Sequence, residues 1–319
     1  MKFLYIVGLT DLHISSTIET PIKIASNIFI TNNKELITLL IPKNKIPLIG
    51  LLEYEFLTSG IPVIFHTGEC LIEEASHIEV INFLRSSHSI LFSLWMTRDC
   101  SVNCDTGYAI GLDNEALHSN SLNLDYSFSN GKNSLLTIDL SELESACALA
   151  DVTFKGLKEQ NTPSHTTLQK KTGRINISTY HLQMARSAND LAIKVSTYCS
   201  FFESLFSTTT TELSHQLSER IAFFLTNTPH ERLDIFKKTK KAYGIRSKAV
   251  HGDIIQEKDL KDLVATSQHC DSIARKIYYN LLTSKETHKL FEGTNETIDN
   301  HMRNLIFGIT SAVGDQIPK

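Results

Sequence analysis

The rhythm of apolar positions changes midway along the chain. In the first half, short β-branched and aromatic runs recur between turn-formers, at residues 3–9, 35–41, 61–66, 89–96, 122–128 and 135–140. Such runs predict strands. Asn130-Gly131 predicts a turn between the last two. Segments 42–53 and 73–85 predict short helices lying against the resulting sheet.

In the second half the period lengthens to that of a helix. Leu191, Val195, Tyr198, Phe202 and Leu205 make one apolar stripe. Thr209-x-x-Glu212 predicts a capping box for a second helix, with Leu213, Leu217, Ile221 and Phe224 turned inward. Thr228-Pro229-x-Glu231 opens a third, with Phe236, Tyr243 and Val250 as its inward stripe and Gly252 as its stop. A fourth helix is predicted over 259–282, with Leu263, Cys270, Ile277 and Leu281 inward. A short fifth over 296–307 ends at Gly308. Long amphipathic helices with short links are the pattern of a bundle.

Between the halves, residues 151–177 turn polar and carry the breakers Pro163 and Gly173. The chain therefore predicts an α+β protein with a β-rich N-terminal domain over 1–155, a linker over 156–177, a helical bundle over 178–307 and a tail over 308–319. Lys170, Lys171 and Arg174 read as a solvated hinge or as a second contact with a polyanion.

Composition narrows the function classes. A formal charge of −4 argues against sequence-blind coating of nucleic acid, while leaving room for a local basic patch. The apolar start, residues 2–9, is too short for a secretory signal, and no later run approaches the length of a membrane span. Six scattered cysteines fit free thiols in a reducing cytoplasm. Cys100-x3-Cys104 has the first half of a zinc spacing and lacks the second, so neither metal nor cofactor is implied.

The chemistry concentrates in Arg246-Ser-Lys-Ala-Val-His251-Gly252, preceded by Lys237, Lys238, Lys240 and Lys241. Arginine grips phosphate as a fork, and histidine exchanges protons near neutral pH. Together they suit RNA transesterification, in which one group deprotonates the 2′-hydroxyl and another protonates the leaving 5′-oxygen. Residues five apart on an ideal helix lie about 140° apart. Arg246 and His251 therefore converge on one phosphate only if the helix ends near His251 or if two copies meet around a two-fold axis.

The chain resembles the Apea-like HEPN family, whose motif is Arg-x4–6-His on the third helix of a bundle. Residues 194–206 (Lys-Val-Ser-Thr-Tyr-Cys-Ser-Phe-Phe-Glu-Ser-Leu-Phe) resemble its first-helix block and 212–222 its second. Residues 242–253 (Ala-Tyr-Gly-Ile-Arg-Ser-Lys-Ala-Val-His-Gly-Asp) resemble its third, and the whole likeness spans 178–307. The resemblance implies a metal-independent endoribonuclease of the toxin or anti-phage defence type, usually dimeric, acting on RNA such as tRNA. It implies Arg246 and His251 as the catalytic pair, Ser247 near the phosphate and Glu203 as an orienting acid. Where some relatives carry a tyrosine two residues past the histidine, this chain has Asp253, so control by modification of that tyrosine is not implied. By analogy the first 150 residues form a domain that senses a phage-derived or protein trigger.

Several residues keep two readings. Lys237, Lys238, Lys241 and Lys248 form either a solvated face or an RNA track. Arg220 reads as an RNA contact or as an ion-pair partner of Glu203 inside the bundle. Arg246 and His251 read alternatively as a structural helix end, with His251 capping carbonyls and Arg246 paired with Glu203, and the whole bundle as an inactive RNA-binding or scaffold subunit. His215 reads as a surface or packing residue, and Trp95 as core.

Overall fold

The computed structural model describes residues 1–25, 27–69, 76–122, 124–156, 173–209, 211 and 213–309. The protein divides into two compact units, one of Met1–Phe128 with Lys132–Gln160 and the other of Ser129–Gly131 with Asn161–Lys319. An antiparallel sheet with helices fills the first 150 residues and an all-helical region follows, the α+β class expected. The proposed linker lies mostly outside the described residues, as do Lys170, Lys171, Glu212 of the capping box, Cys70 and most of the tail.

The first unit is built on β1 (Lys2–Gly8), which is buried on both faces. β3 (Ile22–Ala25), β4 (Ile28–Thr31), β5 (Val63–Glu69), β6 (Thr106–Gly111) and β7 (Leu117–Ser121) join it in the order β3-β4-β5-β1-β6-β7, all antiparallel. β2 (Leu12–Ile14) and β8 (Leu136–Ile138) form a separate parallel pair. Side chains alternate across a strand. Leu4 and Ile6 accordingly join Val63, Phe65 and Ile110 on one face, under α1 (Lys34–Leu40), α2 (Ile46–Ile49) and α3 (Leu51–Leu57). Phe3 and Tyr5 turn to the other face, where α4 (Ser76–Thr97) crosses β1 and β6; α5 (Leu140–Gly156) packs on α4 and β3. On the first face, Gly8 lets α3 lie close to β1, because a Cβ there would lie 2.6 Å from the ring of Phe56.

Three predicted strands are not strands. Residues 35–41 are α1, because the Asn33 side chain accepts the N–H groups of Glu35 and Leu36, each at 3.1 Å, and so starts a helix. Residues 89–96 belong to α4, a helix buried on every side there. An apolar run of that length does not distinguish strand from core helix. Ser87, Ser89 and Ser93 satisfy their hydroxyls on carbonyls four residues back, and Trp95 lies in the core at 1% exposure. The described part of 122–128 makes no strand. Asn103 takes the place of a ladder there, accepting from the N–H of Tyr126 at 2.8 Å and donating to its carbonyl at 3.1 Å. The expected turn is present, with Gly131 at φ 78 and Phe128 donating to the Lys132 carbonyl at 2.9 Å.

The second unit begins with an antiparallel pair, α6 (Arg174–Ser187) and α7 (Leu191–Phe206), linked by three residues. α6 starts inside the segment assigned to the linker. Each helix caps the other with a cation, the sign favoured by a helix C-terminus. Lys194 of α7, fully buried, donates to the Ala185 and Arg186 carbonyls at 2.9 and 3.2 Å. Arg174 of α6 donates to the Ser204 and Ser207 carbonyls at 3.1 and 2.8 Å. Arg174 is thus a cap rather than a solvated hinge. There follow α8 (Leu213–Leu225), α9 (Pro229–His251), α10 (Glu257–Lys261), α11 (Leu263–Thr283), α12 (Lys285–Glu292) and α13 (Asn295–Phe307). Phe206, Phe224 and Phe291 meet edge to face, with centroids 5.1–5.6 Å apart, and tie α7, α8 and α12 together. Gly308 ends α13 at φ 66, as expected.

Candidate active site

α9 carries the candidate motif and is set by its neighbours. Pro229 sits in its first turn, but Thr228 makes no side-chain cap; Thr226 instead bonds Glu231 at 2.5 Å. The buried face of α9 is Thr239, Ala242 and Ile245, not the predicted Phe236, Tyr243 and Val250. A spacing of seven drifts about 20° per heptad on a straight helix. Small residues here let α9 lie close to α7 and α8, so Phe236 and Tyr243 fall to the flank and Val250 is 55% exposed.

Arg246 faces Glu203 across the α7–α9 contact. Its Nη2 donates to Oε2 at 3.3 Å, and its Nε lies 3.2 Å from Oε1 without an aligned hydrogen bond. The two side chains retain 24% and 20% exposure, so the pair is neither sealed nor free. Tyr243, one turn before Arg246 on α9, completes the group. Its ring lies under the guanidinium, with Cζ 5.4 Å from the centroid. Burial, then hydrogen bonding to Glu203 and that carboxylate's charge, push its phenol up. Beneath lies Cys199, whose thiol burial raises well above its usual range. His181 of α6 is lowered by burial, with the Glu203 charge opposing. Sequence reading placed Tyr243 in the core; its spacing of three from Arg246 was the signal that the two share a face.

His251 ends α9. Gly252 follows at φ 72, ψ 21, and Asp253 donates back to the Lys248 carbonyl at 2.9 Å, a glycine stop of the expected kind. The stop comes after His251, not before it. The helix thus ends at His251 as the sequence allowed, but His251 is its last helical residue, so ideal helix geometry still sets it about 140° around the axis from Arg246. His251 is exposed and makes no hydrogen bond or ion pair among the described residues. Exposed Val250 (55%) and Ile254 (90%) flank it. Ser247, half-buried, adjoins Arg246 on α9.

Comparisons with protein-family models, with curated proteins and with solved structures find no match to this chain.

The predicted RNA contacts separate into three sorts. Lys237 is exposed, without an ion pair among the described residues. Lys238 pairs with Asp234 at 2.7 Å, Lys248 with Asp259 at 2.5 Å, and Lys241 with Asp262. Asp234 lies on α9 itself, while Asp259 on α10 and Asp262 just after it offset the lysine run from outside the helix. Arg220 is the correction. It is 7% exposed, and its guanidinium meets Asp299 at 2.5 Å, the Phe206 carbonyl at 2.7 Å and the Thr208 hydroxyl at 3.0 Å. It joins α8 to α13 and caps α7, and its ion-pair partner is Asp299 rather than Glu203. His215 is exposed, edge-on to Phe236 at 5.2 Å. Cys100 and Cys104 are buried and in no disulfide, and no metal-holding group of three or more side chains occurs among the described residues. No helix there is long and apolar enough to cross a membrane.

Proposed function

We propose that this protein is a metal-independent endoribonuclease acting as a homodimer in the cytoplasm, in anti-phage defence or toxin-type abortive infection. The reading is supported by the likeness of its three helical blocks to the Apea-like HEPN family. One observation carries it: a partly exposed guanidinium, held by Glu203 and Tyr243, lies on the same helix as an unpaired terminal imidazole.

The 2′-hydroxyl of a ribose attacks the adjacent phosphorus, and the bond to the 5′-oxygen breaks. One His251 takes the 2′ proton; the His251 of a second copy gives a proton to the leaving oxygen. The products are a 2′,3′-cyclic phosphate and a free 5′-hydroxyl. Arg246 balances the charge that grows on the non-bridging oxygens. Its pair with Glu203 is poorly aligned, with Nε making no hydrogen bond, which leaves the guanidinium able to form an aligned fork on a phosphate. The requirement for a second copy follows from the 140° between the two side chains, and the apolar Val250 and Ile254 beside His251 suit a subunit contact. The first unit is read as the sensing domain for a phage-derived or protein trigger.

The occupied fork of Arg246 favours a second reading, a bundle that binds RNA or a partner without turnover. Labelled tRNA and single-stranded RNA incubated with the full chain in EDTA separate the two. Cleavage to cyclic-phosphate ends, lost in Arg246→Ala and His251→Ala, supports the enzyme. Retained binding with intact RNA supports the binding module.

A further inference from the structure

α9 carries a glycine in its interior for which the described residues give no structural reason. Gly244 is exposed and lies within the helix, two turns before its end. Its backbone is not left-handed, and a Cβ there would meet nothing within 4 Å. Glycine inside a helix is less stable than alanine, because its backbone loses more freedom on folding. Neither strain nor crowding among the described residues offsets that loss, which leaves an approach from outside the chain.

The surroundings say what approaches. Neighbours on a helix surface are the residues three and four away. For Gly244 these are Lys240, Lys241, Ser247 and Lys248, three cations and a hydroxyl around a patch of open backbone. Lys241 pairs with Asp262 one turn before Gly244, and Lys248 pairs with Asp259 one turn after it. The two ion pairs flank Gly244 as the ends of a notch. Lys240 and Lys237 are exposed and make no ion pair among the described residues; the Lys240 ammonium lies 5.8 Å from the centroid of the Phe236 ring. Four lysines against two aspartates leave this face cationic. His251 stands about 10 Å further along the axis and within about 20° of the same line. The notch therefore belongs to the His251 face of α9. Ammonium groups bind phosphate as point charges and impose no plane on it, which suits a flexible strand.

We propose that the notch at Gly244 seats a backbone phosphate of an RNA strand, one that flanks the phosphate cut at His251. The lysines hold the phosphate, and the missing side chain lets the sugar–phosphate chain lie against the helix. The proposal rests on the ribonuclease reading for its ligand and adds the path that the strand takes along α9.

The test is the affinity of the full chain for a labelled single-stranded 2′-O-methyl oligoribonucleotide, which binds without being cut, measured across a salt series. Each phosphate held on a single strand adds about 0.7 to the slope of log affinity against log salt. Gly244→Leu removes no charge. It should nevertheless weaken binding about tenfold and lower that slope by about 0.7. Its melting temperature should rise by about 2 °C, since leucine is the better helix former. Lys240→Ala should lower the slope by a similar amount. Unchanged affinity and slope in Gly244→Leu overturn the proposal, as does a parent protein that does not bind the probe. Weakened binding accompanied by loss of the dimer in sedimentation also overturns it, and assigns the notch to a second copy. Cleavage of unmodified RNA by His251→Ala reports separately: activity kept there removes the ribonuclease reading and leaves the phosphate seat to stand on the binding data.

Discussion

Nη2 of Arg246 donates to Oε2 of Glu203 at 3.3 Å, joining α9 to α7 at the candidate site. An ion pair that is mostly, not wholly, withdrawn from water holds position more than it adds stability. Glu203→Ala should cost about 1–2 kcal/mol, read as a lower urea midpoint at constant slope. Arg246→Ala should lower RNA cleavage by about 10²–10³-fold, the scale for losing a group that stabilises transition-state charge. Equal cleavage by the Arg246→Ala protein would remove the guanidinium from the reaction.

His251 offers a cleaner separation of roles. Because it is exposed and unbonded, His251→Ala should change stability by no more than about 0.5 kcal/mol. Cleavage should fall by about 10²–10⁴-fold, the usual contribution of a general acid–base. A large drop in melting temperature would mark His251 as structural instead.

Arg220 should behave oppositely. It bonds Asp299, a backbone carbonyl and a hydroxyl from a buried position. Arg220→Ala should cost about 2–3 kcal/mol, short of the range for a fully buried pair because Asp299 keeps 32% exposure. Denaturant unfolding measures this directly. A variant as stable as the parent, with weakened RNA binding, would restore Arg220 to the RNA surface.

Acid should destabilise the helical unit through His269 on α11. Burial first, then Lys238 and Lys276, bring its imidazole from 6.5 to about 4, against the opposing effects of Asp234 and the Ile235 carbonyl. As pH falls, the unfolded chain takes up this proton first, so stability is full above about 6.5 and declines until about 4. The difference between parent and His269→Gln should reach about 2 kcal/mol across that window, after allowance for partial exposure. Melting temperatures of both proteins from pH 7 down to about 4 provide the check. Parallel curves would exclude His269 as the group responsible.

The candidate site was legible where its signals were local. Gly252 and Gly308 stop α9 and α13 because a left-handed residue closes a helix whatever surrounds it. The stripe of α7 was read from its period, and the pairing of Arg246 with Glu203 was among the readings the residues allowed. Arg220 was misplaced because nothing in its sequence neighbourhood reveals Asp299, 79 positions away. Tyr243 was misplaced because a seven-residue spacing names a stripe without saying which neighbour the helix will press against.

The amino-acid order by itself determined the two-part character of the protein, its helix stops and the residues able to do phosphate chemistry. These depend on backbone preferences and periodicity within a few turns. Only tertiary structure decided that 89–96 is a buried helix rather than a strand and that Arg174 and Arg220 are caps. Each of those outcomes depends on which distant surface excludes water from a residue, and burial is a property of the assembled fold.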